Sequence, residues 1–354
     1  MLKGISTSDW HLDGGLTRFF PNTATQKQLH EIEKICRYAL EHDIKNIFIP
    51  GDLTDKARIS EDTFIRLVAL FLKFPTLTFY YLLGNHDFVH VGRTCIDVLK
   101  VFIDNSALAN VKIFEAPKVV TLGGVDVGFV PFPATEAPKN KRPMLLFAHV
   151  EEAGAVGDYG VALKSATMGI KRSKRDFVIT GHLHTYQHIK EKRIIFNGSP
   201  YQKTFGESPV KGFIEFSAKY NAEGNLMVRH QFVDNRCEFK LIDRRIENTS
   251  DWDELEVGEH VFYKLHLGEG IVVPKNITKD FPNIVSMNGV SYKGREFTET
   301  IEKKDTSLLP RYTPLTGLVD FLHGFELDKA EIKMAVKMVK EAIEHLKAEG
   351  KIII

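Results

Sequence analysis

Residues 46–55 read NIFIPGDLTD, in which a β-rich apolar run over 46–50 is followed by Gly51 and Asp52. Similar strand-like runs occupy residues 2–7, 78–83, 125–130, 144–147, 177–180 and 194–196. Amphipathic stretches lie between several of these runs. One has Leu29, Ile32 and Ile35 at helical spacing, and residues 60–74 and 92–103 are predicted to form two further helices. An alternation of short strands and helices is typical of a layered α/β fold, which is the class that the sequence predicts.

Polar residues follow the predicted strands at the point where each strand ends. These residues are Asp9, Asp52, Asn85, His149 and His182. In layered α/β folds the carboxyl ends of the strands form the crevice where ligands bind. We therefore expect these five side chains to lie at one edge of the sheet, although they are far apart along the chain.

Five short motifs contain these residues. Each motif alone is weak, because a lone histidine at a strand end is more often structural than a ligand. The set is stronger, since every motif follows a predicted strand and every candidate ligand offers an oxygen or an imidazole nitrogen, which suits Mn, Fe or Zn. Two adjacent metal ions need a bridging carboxylate and separate ligands, which this set supplies. The motifs are Asp9-Trp10-His11, Gly51-Asp52-Leu53-Thr54-Asp55, Gly84-Asn85-His86-Asp87, Ala148-His149-Val150 and Gly181-His182-Leu183-His184.

The motifs resemble those of the calcineurin-like metallophosphoesterase superfamily. The resemblance implies a layered β-sandwich flanked by helices, two divalent metal ions and hydrolysis of a phosphoester. It leaves His86 as the catalytic residue that meets the phosphate, stabilises developing charge and protonates the leaving oxygen. The metal ligands that it implies are Asp9, His11, Asp52 and His184 for one ion, with Asp52 as the bridge, and Asn85, His149 and His182 for the other.

A second resemblance narrows the class of phosphoesterase. Residues 197–200 read NGSP and residues 204–213 read TFGESPVKGF. These runs are similar to segments of the SbcD-type nuclease subunit of the double-strand-break-repair complex, especially its small phage-encoded forms. Phosphoprotein phosphatases typically carry Arg and Glu where this chain has Lys56 and Asp87. Many SbcD relatives have His in place of Asp55, which leaves the balance between exonuclease and endonuclease action open.

Other residues are candidates for substrate contacts. Three basic clusters, residues 139–142, 171–175 and 190–193, precede or follow strands that carry metal ligands. We expect them to border the cleft and contact the phosphate backbone, although such clusters are as often plain solvated surface. The individual residues predicted to contact the substrate are Asp55, His90, Lys171, Arg172 and His188.

Composition excludes some classes of protein. The hydrophobic share of 43% and the charged share of 26% are ordinary for a soluble globular protein, and no apolar run is long enough to span a membrane. Cys36, Cys95 and Cys237 form no CxxC pair, which argues against a disulfide framework. A net charge of +1 gives no global electrostatic preference for nucleic acid. We predict a cytoplasmic protein, or one of the host cytoplasm if the chain is phage-encoded.

The predicted domains are a nuclease core over 1–247, a small α+β capping domain over 248–305 and a C-terminal helical pair over 306–354. The last helix carries an apolar stripe, and the resemblance implies that it docks the coiled coil of an SbcC-type ABC ATPase. The alternative is that the two helices pack only on each other or on the capping domain. The stripe consists of Ile332, Val336, Val339, Ile343 and Leu346.

A homodimer is predicted through the helices at 60–74 and 92–103, the region where the resembling family forms a four-helix interface. The alternative is that these helices use their apolar faces on the sheet of their own chain. The apolar residues that would form the interface are Phe64, Leu67, Phe71, Leu99 and Phe102.

The leading hypothesis is therefore a Mn²⁺-dependent DNA nuclease, the partner of an SbcC-type ATPase in DNA repair and recombination. One alternative is a small-molecule phosphodiesterase or phosphatase with the same site, which would need neither the capping domain nor the C-terminal helices. Another is a scaffold that delivers the ATPase to DNA ends, which the intact ligand set argues against.

Overall fold

The computed structural model describes residues 1–20, 23–56, 59–90, 93–94, 97–104, 107–157, 160–258, 260–287, 290–291 and 337. Within them the strands are β1 (Leu2–Ser6), β2 (Asn46–Pro50), β3 (Thr78–Leu82), β4 (Phe88–His90), β5 (Arg93–Thr94), β6 (Val111–Phe114), β7 (Lys118–Leu122), β8 (Val125–Val130), β9 (Leu145–His149), β10 (Phe177–Gly181), β11 (Gln187–Ile189), β12 (Ile194–Phe196), β13 (Gly212–Tyr220), β14 (Leu226–Asp234), β15 (Lys240–Ile246), β16 (Val261–Leu267), β17 (Ile284–Met287) and β18 (Val290–Ser291). The helices are α1 (Ala24–Glu41), α2 (Glu61–Lys73), α3 (Asp97–Asp104) and α4 (Ile277–Asp280), with short 3-10 helices at Gly15–Arg18, Lys190–Lys192 and Thr249–Trp252.

Two six-stranded mixed sheets contain most of the strands in the described residues, with strand orders β14-β13-β1-β2-β3-β6 and β11-β12-β10-β9-β8-β7. In the first sheet β1, β2, β3 and β6 are parallel, while β13 and β14 are antiparallel neighbours. In the second sheet β8, β9, β10 and β12 are parallel between the antiparallel edge strands β7 and β11. The predicted α/β class is confirmed, as are the seven predicted strands, to within one or two residues at their ends.

An apolar layer rich in aromatic rings joins the two sheets. Phe48 of β2 stacks on Phe147 of β9 with the ring centroids 4.1 Å apart, and Phe114 of β6 stacks on Phe129 of β8 at 3.7 Å. All four side chains are buried. Because side chains alternate between the two faces of a strand, the other face of the first sheet is left to the helices. The layered sandwich implied by the resemblance is therefore present.

Helices α1 and α2 cover that other face. Helix α1 buries Leu29, Ile32 and Ile35, as their spacing predicts. Helix α2 begins after Ser60, whose hydroxyl accepts a hydrogen bond from the Thr63 N–H at 3.3 Å. This contact satisfies one of the amide groups that the first turn of a helix leaves without a partner.

Four of the five residues expected at a dimer interface are buried inside the chain's own core. Leu67, Phe71, Leu99 and Phe102 are at most 5% exposed, and the half-buried Phe64 packs against Phe102. These four side chains have no apolar surface left for a second subunit, so the structure supports the alternative that they pack on the sheet. The homodimer itself stays a prediction.

A third sheet, in the order β15-β16-β17-β18, follows the sandwich and has its own apolar cluster around Trp252 and Tyr263. Strand β15, which falls within the predicted nuclease core over 1–247, pairs with β16 in this sheet. The division into domains at 247/248 and 305/306 stays a prediction, and the predicted helical pair at 306–354 lies outside the described residues apart from Lys337. Within the described part of the chain, no helix is long and apolar enough to cross a membrane.

Candidate metal centre

The predicted ligands follow strands that end at one edge of the sandwich, and the chain turns sharply there. Asp9 and His11 after β1, Asp52 after β2 and His182 after β10 all adopt positive φ angles, of 57°, 43°, 52° and 86°. Residues other than glycine rarely adopt this conformation, and where they do the surrounding structure often holds them for function. The predicted convergence at the carboxyl ends of the strands is what the structure shows.

Two glycines allow the loops to approach one another. Gly51 has a φ of +91°, and a Cβ atom on it would lie 2.1 Å from Nδ1 of His149. A Cβ atom on Gly84 would lie 2.1 Å from Oδ1 of Asp52. Any side chain at either position would therefore collide with a predicted metal ligand.

His149 is oriented by the main chain. Its Nδ1 lies 2.9 Å from the carbonyl oxygen of Pro50, which can only accept, so Nδ1 carries a proton. Its Nε2 then points to two oxygens, Oδ1 of Asn85 at 2.8 Å and Oδ2 of Asp52 at 3.3 Å. Although burial opposes it, the charges of Asp52 and Asp9 raise the pKa of His149 to about 9. The imidazolium thus occupies a place where negative charge favours a cation.

His182 is oriented by a carboxylate instead. Its Nε2 lies 3.2 Å from Oε1 of Glu151, and its Nδ1 lies 3.1 Å from Oδ1 of Asn85. Burial and the neighbouring His149 lower the pKa of His182. In the neutral ring the proton belongs on Nε2, so a lone pair on Nδ1 faces the amide oxygen. A ring nitrogen beside an amide oxygen in this arrangement fits a metal position shared by Asn85, His149 and His182.

The surroundings of His11 indicate a second metal position. Its Nδ1 lies 2.9 Å from Oδ1 of Asp55, and burial together with the charge of Lys203 lowers its pKa to about 4. The ring is therefore neutral, with its proton on Nδ1. Its Nε2 is buried without a hydrogen-bond partner in the described part of the chain and lies 3.5 Å from Oδ2 of Asp52. A buried lone pair beside a carboxylate fits a metal ligand.

His184 completes the same position. Its Nε2 lies 2.6 Å from the ammonium nitrogen of Lys203, which can only donate, so Nε2 accepts. The proton is then on Nδ1, which lies 3.5 Å from Oε1 of Glu207. The lone pair expected to bind a metal ion is therefore already directed at a positive charge.

The donor atoms form three overlapping groups within the described residues. Asp9, His11 and His184 form one group whose donor atoms lie within 4.8 Å of one another, and Asp52 joins His11 and His86 in a second and Asp9 and His149 in a third. The carboxylate of Asp9 accepts hydrogen bonds from the Ser8 hydroxyl at 2.6 Å and from the main-chain N–H of His182 at 3.0 Å. The shared position of Asp52 is the one that a bridging carboxylate requires. The residues present thus fit two divalent ions.

Asp87 joins the loops that carry Asp52 and Asn85. It is fully buried and accepts hydrogen bonds from the N–H groups of Asp52, Thr54 and Gly84, at 3.0, 3.1 and 2.8 Å. Burial and the charge of Asp52 raise the pKa of Asp87 to about 6. Asp87, the last residue of the third motif, is thus a support for the loops that carry the predicted ligands.

His86 is the exposed residue of the centre. Its Nδ1 lies 3.0 Å from the carbonyl oxygen of Asp55, so Nδ1 carries a proton and Nε2 is the atom that can exchange one. The main-chain N–H of His86 donates to Oδ1 of Asp52 at 2.9 Å. His86 therefore lies beside the ligands, where solvent and substrate have access.

The other predicted substrate contacts have different positions. Asp55 lies in the centre, as the partner of His11. His188 packs against Phe177 and His230 near the start of β10, far from the ligands at its end. Lys171 pairs with Glu136 at the surface and Arg172 donates to the carbonyl of Lys192, both in a segment that precedes β10. The side chain of His90 lies outside the described residues.

Four residues of the centre were not assigned a site role from sequence. Glu151, Lys203 and Glu207 contact predicted ligands, and Asp87 supports two loops. Asp87 and Glu207 lie inside motifs that the resemblance had singled out, which was a usable signal. Lys203 carried no signal, because a lysine in a polar loop is normally solvated.

The fold and the centre together define a metal-dependent phosphoesterase. The chain belongs to the calcineurin-like phosphoesterase family, whose model matches residues 5–186, a segment that contains every predicted ligand. The family acts on phosphoesters with divalent metal ions. The chain has no significant match among curated proteins.

Several solved structures are similar to the chain at low identity. GAP50, the anchor in the inner membrane complex of Plasmodium, is 11% identical, with 66% of this chain and 85% of that chain covered and a TM-score of 0.40. The nuclease MPE of Pseudomonas putida is 15% identical, with coverage of 60% and 83% and a TM-score of 0.32. TT1561 of Thermus thermophilus is 9% identical, with coverage of 66% and 99% and a TM-score of 0.38.

Proposed function

We propose that this phosphoesterase is a Mn²⁺-dependent DNA nuclease that cleaves phosphodiesters at a two-metal centre. One observation carries the proposal of a paired centre: Oδ2 of Asp52 lies 3.5 Å from Nε2 of His11 and 3.3 Å from Nε2 of His149. A single carboxylate oxygen between the Nε2 atoms of two histidines is the arrangement that a bridging ligand needs. Oxygen and nitrogen donors without thiolate suit Mn²⁺.

The residues of the candidate centre fall into two groups, those that would bind the ions and those that orient the histidines. Asp9, His11, Asp52 and His184 would hold one ion, and Asp52, Asn85, His149 and His182 the other. Divalent ions held there would supply Lewis-acid polarisation of the phosphoester. Asp55, Glu151 and Glu207 fix the proton on the far nitrogen of His11, His182 and His184.

His86 has the role of proton donor to the leaving oxygen. Its Nδ1 is held by the Asp55 carbonyl, so Nε2 is the atom that exchanges the proton, and its exposure gives a substrate access to it. A positioned proton donor of this kind contributes about 10²–10⁴-fold to a reaction rate.

The sequence run that resembles SbcD supports DNA as the substrate. Glu207, in the run that reads TFGE, contacts the predicted ligand His184, and Lys203 just before that run contacts it as well. The segment that distinguishes SbcD-type nucleases in sequence is thus part of the centre in this chain. Phosphoprotein phosphatases typically carry Arg and Glu where this chain has Lys56 and Asp87, which also favours a nuclease over that alternative.

A substrate comparison tests the proposal. The full chain with Mn²⁺ would be assayed on linear duplex DNA, single-stranded DNA, bis-p-nitrophenyl phosphate and p-nitrophenyl phosphate, with His86→Ala as the control for contaminating nuclease. We expect cleavage of DNA and of the diester. Hydrolysis of the monoester alone would contradict the nuclease and favour a phosphatase.

The predicted partners belong to the same proposal. We propose that the helices at 306–354 bind the coiled coil of an SbcC-type ATPase and that the chain forms a homodimer. Co-purification of Ile332→Glu/Ile343→Glu with the ATPase would be compared with that of Lys333→Glu/Lys337→Glu, which changes the polar face of the same predicted helix. Loss of binding in the first variant alone is expected, and equal binding by both would contradict the docking role. Light scattering of the wild-type chain at micromolar concentration tests the dimer.

A further inference from the structure

The basic clusters expected to border the catalytic cleft meet at the opposite edge of the second sheet. Residues 139–142 directly precede β9 and residues 171–175 directly precede β10, so both lie at the amino ends of strands whose carboxyl ends carry His149 and His182. A five-residue parallel strand spans roughly 16 Å. Arg172 also donates to the carbonyl of Lys192, so the third basic cluster, residues 190–193, lies next to the second. Three sequence-distant basic segments thus form one surface away from the metal centre.

This surface contains a cavity of about 410 Å³. Five basic side chains line it, with Asp176 as the acidic one. The volume lies in the range of pockets that hold small ligands, about 300–1,000 Å³. The basic residues are Lys139, Lys141, Arg142, Arg172 and Arg175.

Most of this positive charge is not neutralised by the protein. Arg142 pairs with Asp126 at 2.6 Å, and both carboxylate oxygens of Asp176 accept main-chain hydrogen bonds, from Met144 at 2.8 Å and Ser173 at 3.1 Å. Among the described residues, Lys139, Lys141 and Arg175 form no ion pair, and all three are exposed. Like charges that share a cavity repel one another, so a bound anion would relieve this repulsion.

The walls of the cavity are held in place. Asp176 connects the two segments through its hydrogen bonds to Met144 and Ser173. On the outer side, the Tyr220 hydroxyl donates to the carbonyl of Pro143 at 2.7 Å, and the guanidinium of Arg142 lies 4.6 Å from the centre of the Tyr220 ring. The basic side chains therefore extend from a fixed framework.

We infer that this cavity is a second binding site, separate from the metal centre, for ligands that carry several phosphate groups. Arginine matches phosphate oxygens in a bidentate manner and lysine adds charge, so three unpaired cations favour a polyphosphate over a single carboxylate. The phosphates have two possible sources, a nucleic-acid backbone or a free polyphosphate such as the chain of a nucleoside triphosphate. The inference does not depend on the metal centre cleaving DNA.

The test measures binding in EDTA, so that the metal centre does not contribute. Affinities of the full chain for sodium tripolyphosphate and for a fluorescent 20-base-pair duplex would be measured for wild type and for Lys141→Glu/Arg175→Glu. A matched control, Lys240→Glu/Lys275→Glu, makes the same change in charge on exposed residues elsewhere. Thermal unfolding checks that each variant is folded, and the milder Lys141→Gln/Arg175→Gln replaces the first variant if it is not.

We expect the cavity variant to bind tripolyphosphate at least about tenfold more weakly and the control to change by less than twofold. If duplex affinity falls in parallel and tripolyphosphate displaces the duplex, the site takes nucleic-acid phosphates. If only tripolyphosphate binding falls, it takes free polyphosphate. Unchanged binding of both probes would overturn the inference. Hydrolysis of bis-p-nitrophenyl phosphate with Mn²⁺ should be unchanged in every variant, and its loss in the cavity variant would overturn the separation of the two sites.

Discussion

The buried Glu207 lies behind the half-buried His184 at the metal centre, with Nδ1 of the histidine 3.5 Å from Oε1 of the carboxylate. The second carboxylate oxygen lies 2.7 Å from the ammonium of Lys211, which also donates to the carbonyl of His184. Although burial opposes it, the hydrogen bond from His184 and the charge of Lys211 hold the pKa of Glu207 below its usual range. A carboxylate behind a histidine fixes the ring and increases its basicity as a metal ligand.

Glu207→Gln should therefore weaken metal binding without removing a ligand. The amide keeps the shape but loses the negative charge that holds the Nδ1 proton, and such losses typically cost about 10–100-fold in affinity. Calorimetric titration with Mn²⁺ measures the effect, with the exposed Glu223→Gln as control. Wild-type affinity in Glu207→Gln would show that the pair does not position His184.

Lys203→Met should strengthen metal binding. The ammonium lies 2.6 Å from Nε2 of His184, the atom expected to bind a metal ion, and it must move when a divalent ion arrives. Removing a positive charge a few ångströms from that ion should lower the dissociation constant by about tenfold or more. Lys203→Arg, which keeps the charge, is the control. If Lys203→Met binds Mn²⁺ no more tightly than Lys203→Arg, the lysine does not compete with the ion.

His86→Ala should keep both metal ions and lose most turnover. The residue is assigned to proton transfer and not to coordination, and a positioned proton donor contributes about 10²–10⁴-fold. Metal content by atomic emission and kcat on bis-p-nitrophenyl phosphate would be measured on the same preparation. Loss of metal from this variant would mean that His86 is a ligand, since it shares a cluster with His11 and Asp52.

Asp52→Ala should empty both metal positions. Its carboxylate lies within 3.5 Å of both His11 and His149, and without it two cations would face each other with less negative charge between them. Metal content is the measurement, and a variant that still binds two ions per chain would show that another group is the bridge.

Asp87→Ala should destabilise the fold. Three buried N–H groups, of Asp52, Thr54 and Gly84, would lose their acceptor. Each unsatisfied buried group costs about 1–3 kcal/mol, so we expect a loss of at least about 3 kcal/mol in the free energy of unfolding. Urea denaturation measures it, with Asp253→Ala at the surface as control. A loss of less than about 1 kcal/mol would indicate that water replaces the carboxylate.

Part of the fold and of the candidate site could be predicted from the amino-acid sequence alone. The alternation of strands and helices is a local property, because it depends on side-chain periodicity within a few residues. The position of Asp9, Asp52 and His149 just after strands predicted their convergence, since parallel strands bring their carboxyl ends to one edge. Periodicity and position along the chain were therefore enough to predict the fold class, the candidate ligands and the apolar faces of the helices.

The remainder depended on the three-dimensional arrangement of the chain. Which nitrogen of His11 or His184 carries a proton is set by Asp55 and Glu207, and the sequence does not show which carboxylate lies within hydrogen-bond distance. Leu67 and Phe102 could equally have formed a dimer surface, because an amphipathic helix does not specify what covers its apolar face. Lys141 and Arg175 were expected beside the ligands, but they precede β9 and β10 and therefore lie at the amino ends of strands whose carboxyl ends carry the ligands. That these two basic segments line one cavity depended on the tertiary structure, because it requires β9 and β10 to be neighbours in the sheet, and the order of strands in a sheet is not a local property of the sequence.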